Sequence, residues 1–236
     1  MMIIDVTYDL RKDTKANDPD AESKILKKYH QILWSKTLPN GNKISLSEPT
    51  DYGYLVFKYN DQDIMLSSDI IITTYIQWER CKYYTEKINN KIKMEFDEKA
   101  HTIGAFIVYP KSKINGLSTI NMERGTNASI LDRFDLTLEC IRLHYLQNEN
   151  PLKDVLNRYK YFFDLFGSFR NYCQYFLLDD LVDNDYNSIK YFVNNRTAFN
   201  KPLPSNESEY IEFVNNAMEF ITNRNKRIQQ YIDSMQ

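Results

Sequence analysis

Apolar positions recur at helical spacing in the stretch DPDAESKILKKYHQILW, where Ile25, Leu26, Tyr29, Ile32 and Leu33 share one face. Asp18 fits as N-cap and Pro19 as the first helical residue. Lys24, Lys27, Lys28 and Gln31 fall on the other side, which reads as a solvated face. After a turn at LPNG (38–41), the pattern from Lys43 to about Ser67 shortens to apolar runs broken by NG, EP and NDQD. That change predicts strands, with GYLVFKY and DIMLSS as a hairpin closed near Asn60 and Asp61. Ser67 or Ser68 then acts as a cap, and a strand end runs into a helix carrying Tyr75, Trp78, Lys82 and Tyr83 at helical spacing. HTIGAFIVYP (101–110) is long and nearly all apolar, which predicts a central strand, and STINMERG continues the sheet.

The remainder reads as helical. Pro151–Phe166 keeps a helical period through Leu152, Val155, Leu156, Tyr159, Phe162, Phe163 and Phe166 until Gly167 ends it. FRNYCQYFLLDDLV gives a second aromatic helix. The last helix starts at Asn206 with Glu209 as its capping-box partner, and Tyr210, Val214, Ala217, Ile221, Ile228, Tyr231 and Met235 form its seam. Arg224 interrupts that seam, which favours packing onto the same chain over a coiled-coil dimer. The fold class is therefore α+β: an N-terminal helix and β-hairpin, a small central sheet and a predominantly helical C-terminal half. We expect a single domain over 1–236, with a mixed part at about 1–125 and a helical part at 126–236.

Candidate chemistry centres on DRFDLTLECIRLHY (132–145). With successive residues about 100° apart, Ile130, Leu131, Phe134, Leu138, Ile141 and Tyr145 make one apolar face. Asp132, Leu136, Glu139, Leu143 and Leu146 share the opposite side, with Asp135 and Arg142 at its edge. Acids on a helix that buries both sides must be paired, protonated or metal-bound. Two readings follow. Asp132, Asp135 and Glu139 are catalytic acids or hold a divalent cation, or they form an internal ion-pair network with Arg124, Arg133 and Arg142. Arg124 beside Gly125 offers a guanidinium and backbone N–H groups to a phosphate near a helix start at about Ser129, or is a structural arginine in a tight turn. Arg133 joins them as a ligand-binding candidate, as do Ser67 and Ser68, which with Asp69 are either polar site groups or an N-cap. His30, His101 and His144 are scattered singly, which disfavours a His-rich metal site, and no motif for phosphate loops, dinucleotides, nucleophile elbows or zinc hydrolysis occurs. The residues specify no cofactor, metal or oligomeric state.

Composition narrows the classes. Thirty Lys and Arg against 32 Asp and Glu leave a net charge of −2, with no global field for nucleic acid or an anionic membrane. No stretch approaches the roughly 20 apolar residues of a membrane span, and no secretory leader opens the chain, so a cytoplasmic location is expected. Cys81, Cys140 and Cys173 are odd in number and widely spaced, as expected of buried reduced thiols.

DPDAESKILKKYHQILWSKTLPNG, LSSDIII, TIGAFIVYP, TINMERGTN, DRFDLTLECIRLHY, YFLLDDLV and FITNRNKRI together resemble a family of uncharacterised bacterial proteins, a domain of unknown function spanning most of the chain. The resemblance implies no activity. It does imply that Gly104-Ala105 stands where the family favours Gly-Gly, and Glu123 where it favours Ala before Arg-Gly. The leading expectation is a cytoplasmic bacterial enzyme or ligand-binding protein for a phosphate-bearing small molecule or nucleotide, sited at Arg124 and the acids of 132–145. The alternative is a non-catalytic protein-interaction component, such as one of a stress or phage-defence system. Duplex DNA is not an expected partner, because phosphate neutralisation dominates such binding and the chain has no basic run. Fluorescence anisotropy with random duplex at about 0.15 M salt should find no sub-micromolar affinity.

Overall fold

A computed structural model of the chain describes residues 4–14, 18–48, 53–71, 79–193 and 199–235. A short 3-10 turn at Leu10–Asp13 leads into α1 (Pro19–Glu22) and α2 (Lys24–Trp34). The strands β1 (Val56–Tyr59) and β2 (Gln62–Ile70) follow, then α3 (Glu79–Lys87) and α4 (Asn90–Ala100). A 3-10 turn at Ile103–Ala105 opens β3 (Phe106–Pro110). Beyond it come α5 (Ile120–Thr126), α6 (Phe134–Tyr145), α7 (Lys153–Arg158), α8 (Lys160–Asp164), α9 (Phe169–Tyr175), a 3-10 turn at Asp179–Leu181 and α10 (Glu207–Asp233). The architecture is α+β, with a small antiparallel sheet and a helical C-terminal half. Tyr75 and Trp78 lie outside the described residues, as does the side chain of Cys81. Among the described residues no helix is long and apolar enough to cross a membrane.

The hairpin forms where its turn chemistry places it. Asn60 and Asp61 both have positive φ, 48° and 60°, and close β1 onto β2 with Tyr59 opposite Gln62. The order β1-β2-β3 makes β2 central, its second half pairing with β3 from Leu66–Pro110 to Ile70–Phe106. β3, expected to be central, is thus an outer strand of this sheet. All five of its residues are nevertheless buried, because α5 packs against it and α10 reaches its start through Arg224. An apolar run reports burial and does not separate a central strand from a covered edge.

Other expectations are corrected by tertiary contacts. Ser67 and Ser68 are not a helix cap but lie within β2, opposite Tyr109 and Val108. STINMERG is not a strand: Thr119 caps α5, which buries only Ile120 and Arg124, too few positions to show a period. The 18–34 helix breaks at Ser23, whose hydroxyl donates to Asp13 (2.8 Å) and accepts from Leu26 N (2.9 Å). Lys27 is not on a solvated face; its Nζ donates to Ala21 O and Gly53 O (both 3.1 Å) and pairs with Glu48. The 151–166 helix starts at Lys153 and is broken at Tyr159, whose hydroxyl donates to Ser112 O (2.8 Å). Phe162, Phe163 and Phe166 are all buried, and their rings meet Tyr172 and Phe176 of the next helix and its end.

One long helix closes the fold. Asn206 Oδ1 accepts from Glu209 N (2.9 Å), and Glu209 Oε2 accepts from Ser205 N (2.7 Å), which caps α10. Arg224, the break in its apolar seam, is fully buried and ties two backbone segments to α10. It donates to Gly104 O (2.9 Å), Phe106 O (2.7 Å) and twice to Phe176 O (3.2 and 3.0 Å), with its guanidinium 5.7 Å from the Trp34 ring centroid. Asn225 beside it accepts from Gly104 N (2.8 Å) and donates to Thr102 Oγ1 (2.9 Å). So close an approach requires glycine at 104: a Cβ there would lie 2.4 Å from Asn225 Oδ1 and 3.0 Å from Ile221 O. Gly104→Ala should destabilise the protein by about 1–3 kcal/mol, read as a lower urea midpoint, because the helix must move or Asn225 must leave its bonds. Ordinary stability in the variant would show that α10 is not seated on this turn.

Candidate functional site

The acids of 132–145 are distributed over three separate arginine pairs. Asp132 precedes α6, at φ 66° after Leu131 at φ 44°, so a helical wheel does not apply to it. This left-handed step is held from both sides: Asp132 N donates to Arg124 O (2.9 Å), and Arg124 Nη2 donates to Asp132 O (3.0 Å). Arg124 Nη1 also lies 3.0 Å from Asp132 Oδ1, pairs with Asp69 and reaches Ile70 O at 3.5 Å, while Nε donates to Thr137 (3.2 Å). Arg124 is fully buried with its donors engaged by protein. Gly125 lies in the last turn of α5, where a Cβ would meet only Asp132 Oδ1 at 3.9 Å, so no bare backbone is required there.

Asp135 and Arg133 form a buried two-point pair. Asp135 Oδ2 also accepts from Phe192 N (2.9 Å), and Arg133 Nη1 donates to Pro202 O (2.9 Å), so the pair clamps two points of the later chain onto α6. Glu139 is held by Arg142 at 2.7 and 2.8 Å. Among the described residues no group of three or more His, Cys, Asp or Glu is placed to hold a metal ion.

Open space lies elsewhere, in front of Asp69. A cleft of about 300 Å³ is lined by Leu10, Arg11 and Thr14 of the first turn, Asp18, Pro19 and Asp20 at α1, Ser68, Asp69 and Ile70 at the end of β2, and His101 and Phe106. Ser68 therefore reaches the candidate site, and Arg124 supports it from behind through Asp69. Ser67 does not line the cleft; its hydroxyl accepts from Asn121 Nδ2 (3.1 Å).

Donor direction along the cleft floor follows from chemistry alone. The Trp34 indole can only donate, and its Nε1 lies 2.9 Å from His30 Nδ1, so Nδ1 accepts. The neutral ring then carries its proton on Nε2, which donates to Ser68 Oγ at 3.1 Å. Ser68 passes its own hydroxyl hydrogen to Asp20 Oδ1, while its backbone N–H donates to Asp20 Oδ2 (2.7 Å). Ser, His and Asp thus meet in a relay that runs opposite to a nucleophilic triad, for His30 gives a hydrogen to Ser68 and cannot remove one. The group that the relay serves is Asp20.

A second ring faces the same cleft. His101 Nδ1 lies 2.7 Å from Asp97 O, and a carbonyl only accepts, so Nδ1 carries hydrogen and the neutral ring presents Nε2 as an acceptor. Arg11 stands at the mouth, held by Asp9 and Asp97. Asp18 takes hydrogen bonds from Tyr54 (2.7 Å) and Lys111 (3.2 Å).

Over residues 4–228 the sequence matches a family described as a family of unknown function, DUF6994. The chain belongs to this family. No curated protein and no solved structure matches it. For this family member the chemistry must be read from the geometry.

Electrostatics separate the cleft groups. Burial pushes the Asp20 carboxyl up to about 6, against the two hydrogen bonds from Ser68. Burial likewise raises Asp69, opposed by the Arg124 charge. Burial drives His30 down to about 3, and the positive charge of Arg224 adds to the effect, so the ring is neutral throughout the working range. The two linkage signs are opposite. Asp20, raised from 3.8, contributes stability that is present below pH 3.8 and lost as pH rises through about 6. His30, lowered from 6.5, contributes stability present above pH 6.5 and lost as pH falls through about 3. The Asp20→Asn variant isolates the first term. Its unfolding free energy relative to wild type should rise by on the order of 3 kcal/mol from about pH 3.5 to pH 7, measured by urea titration at each pH. A difference flat with pH would mean that Asp20 is not perturbed.

Proposed function

We propose that the protein is an enzyme or ligand-binding protein that takes a small polar molecule into the cleft between the first turn, α1 and the end of β2. Asp20 and His101 are its proton-transfer groups. The observation that carries this reading is the directed relay from Trp34 through His30 and Ser68, which ends on a nearly buried carboxylate at the cleft floor. A carboxyl raised to about 6 and, on the same cleft lining, an imidazole that presents Nε2 as an acceptor supply a proton donor and a proton acceptor.

The carboxylates accept from hydroxyl or amino groups, as a ribose or a sugar offers. A phosphate-bearing ligand or nucleotide would set its anion at Arg11, which is exposed at the cleft and keeps further guanidinium hydrogens beyond those given to Asp9 and Asp97, whereas Arg124 is fully buried behind Asp69. In this reading Arg124 and Asp132 hold Asp69 in place, while Arg133, Asp135 and Glu139 act at a distance by fixing α6. Cys140 and Cys173 are free buried thiols, which fits a reducing setting such as the cytoplasm.

The test is a melting-temperature screen of the full chain with nucleosides, nucleotides, sugar phosphates and small amines. At least one class at saturating concentration should raise the melting temperature of wild type by roughly 5 °C or more. The same class should leave Asp20→Asn nearly unmoved, and Arg11→Ala should weaken only phosphate-bearing members. A screen without any shift, or an equal shift in Asp20→Asn, overturns the proposal.

A further inference from the structure

A second chemically distinct place lies at the end of α2, away from the cleft lining. Lys36 leaves α2 two residues after Trp34 and folds its amine among three rings. Nζ lies 4.2 Å from the Tyr231 ring centroid, 5.0 Å from Trp34 and 5.2 Å from Tyr175, and donates one hydrogen bond to Tyr175 O (2.8 Å). Among the described residues no carboxylate forms an ion pair with it. The acids of the adjacent turn are occupied: Asp179 accepts from the Tyr186 hydroxyl, and Asp180 is held by Arg227 at 2.9 Å.

The same indole ring also carries a second cation, the Arg224 guanidinium, 5.7 Å from its centroid. Among the described residues Arg224 too is bonded only to backbone carbonyls, so two positive groups share one ring and neither has an ion-pair partner there. One of them is the more readily neutralised. A guanidinium holds its proton under all ordinary conditions, whereas an ammonium in a desolvated site next to another cation releases it. Burial lowers Lys36 from 10.5 to about 7, the Arg224 charge adds to the fall, and Asp179 opposes it. The rings favour the ammonium, which tempers the loss of water without replacing a counter-ion.

We propose that Lys36 is a reactive amine, a site at which Nζ forms an imine with a small neutral aldehyde. The Nζ lone pair attacks the carbonyl carbon, a C–N bond forms and the C=O π pair moves to oxygen. One proton passes from nitrogen to that oxygen; the carbinolamine then loses its hydroxyl with the second nitrogen-bound proton as water, leaving C=N. No oxidant or reductant is consumed. The aromatic walls disfavour a charged carbonyl compound, and burial, with the neighbouring guanidinium adding to it, leaves the attacking nitrogen more often unprotonated than that of an exposed lysine.

The test uses the intact chain, propanal in limiting amount and cyanoborohydride to reduce any imine to a stable secondary amine, followed by peptide mass mapping. At pH 7, Lys36 should be alkylated at least about tenfold faster than the exposed Lys24 and Lys28, as a desolvated lysine beside a cation is. That advantage should shrink toward pH 9.5 as the other lysines also lose protons. Tyr231→Ala, which opens the cage to water, should reduce the advantage at pH 7. Labelling of Lys36 no faster than Lys24 and Lys28, or an advantage unchanged in Tyr231→Ala, overturns the proposal.

Discussion

The burial of one arginine against backbone carbonyls governs how the molecule is arranged. Arg224 is a cation in the core, so every donor it presents must find an oxygen, and the oxygens it finds belong to the backbone at Gly104, Phe106 and Phe176. A guanidinium is a planar fork, and three carbonyls on two segments fix how both of them sit against α10. That requirement explains why α10 lies against the 103–106 turn closely enough to demand glycine, and why α9 ends where it does. Leucine at this position would satisfy the apolar seam but leave the three carbonyls unpaired in a dry interior, each at a cost of about 1–3 kcal/mol.

The same charge reaches both sites of chemical interest. Arg224 lies over Trp34, and Trp34 donates to His30, so the indole is a spacer between a permanent cation and an imidazole that must stay neutral. A neutral His30 with its proton on Nε2 is what aims the Ser68 hydroxyl at Asp20. The indole is also shared with Lys36, which loses its proton more readily because it is buried, with the Arg224 charge adding to the effect. Packing and electrostatics act together here: burial disfavours the charged forms of His30 and Lys36, and the buried cation that braces the fold adds to the effect at both.

What could be read in the sequence divides along the range of the interactions. Elements set by local chemistry were legible: the turn at Asn60-Asp61, the cap at Asn206, the Asp18-Pro19 helix start and the aromatic run from Phe162 to Phe166. Arg224 stood out as a break in a seam, yet nothing local said that backbone carbonyls more than a hundred residues away would receive it. The acids of 132–145 were legible as buried and arginine-paired, but the left-handed step at Leu131-Asp132 removes Asp132 from the helix that the spacing implied. Ser68 and Asp69 were visible as polar groups at a strand end. Asp20, His30 and His101 were not, because a cap-like aspartate, an apolar-face histidine and a lone histidine become a site only when β2 passes between them. The signal available in advance was Ser-Ser-Asp at the end of an apolar strand, a position where short polar side chains face two elements at once.

The ion pairs of α6 and the cleft are coupled through a single shared carboxylate. Asp69 faces the cleft on one side and Arg124 on the other, and Arg124 is held in turn by Asp132, Thr137 and the carbonyl of Ile70. Buried pairs of this kind contribute little net stability, since the desolvation of both ions offsets their attraction. What they supply is position. An apolar residue in place of Arg124 would leave Asp69 as an uncompensated buried charge, and Asp69 would either take up a proton or swing into the cleft, altering the space beside Asp20. The α6 network therefore need not contact a ligand to shape its site: it decides whether the wall of the cleft carries a fixed negative charge.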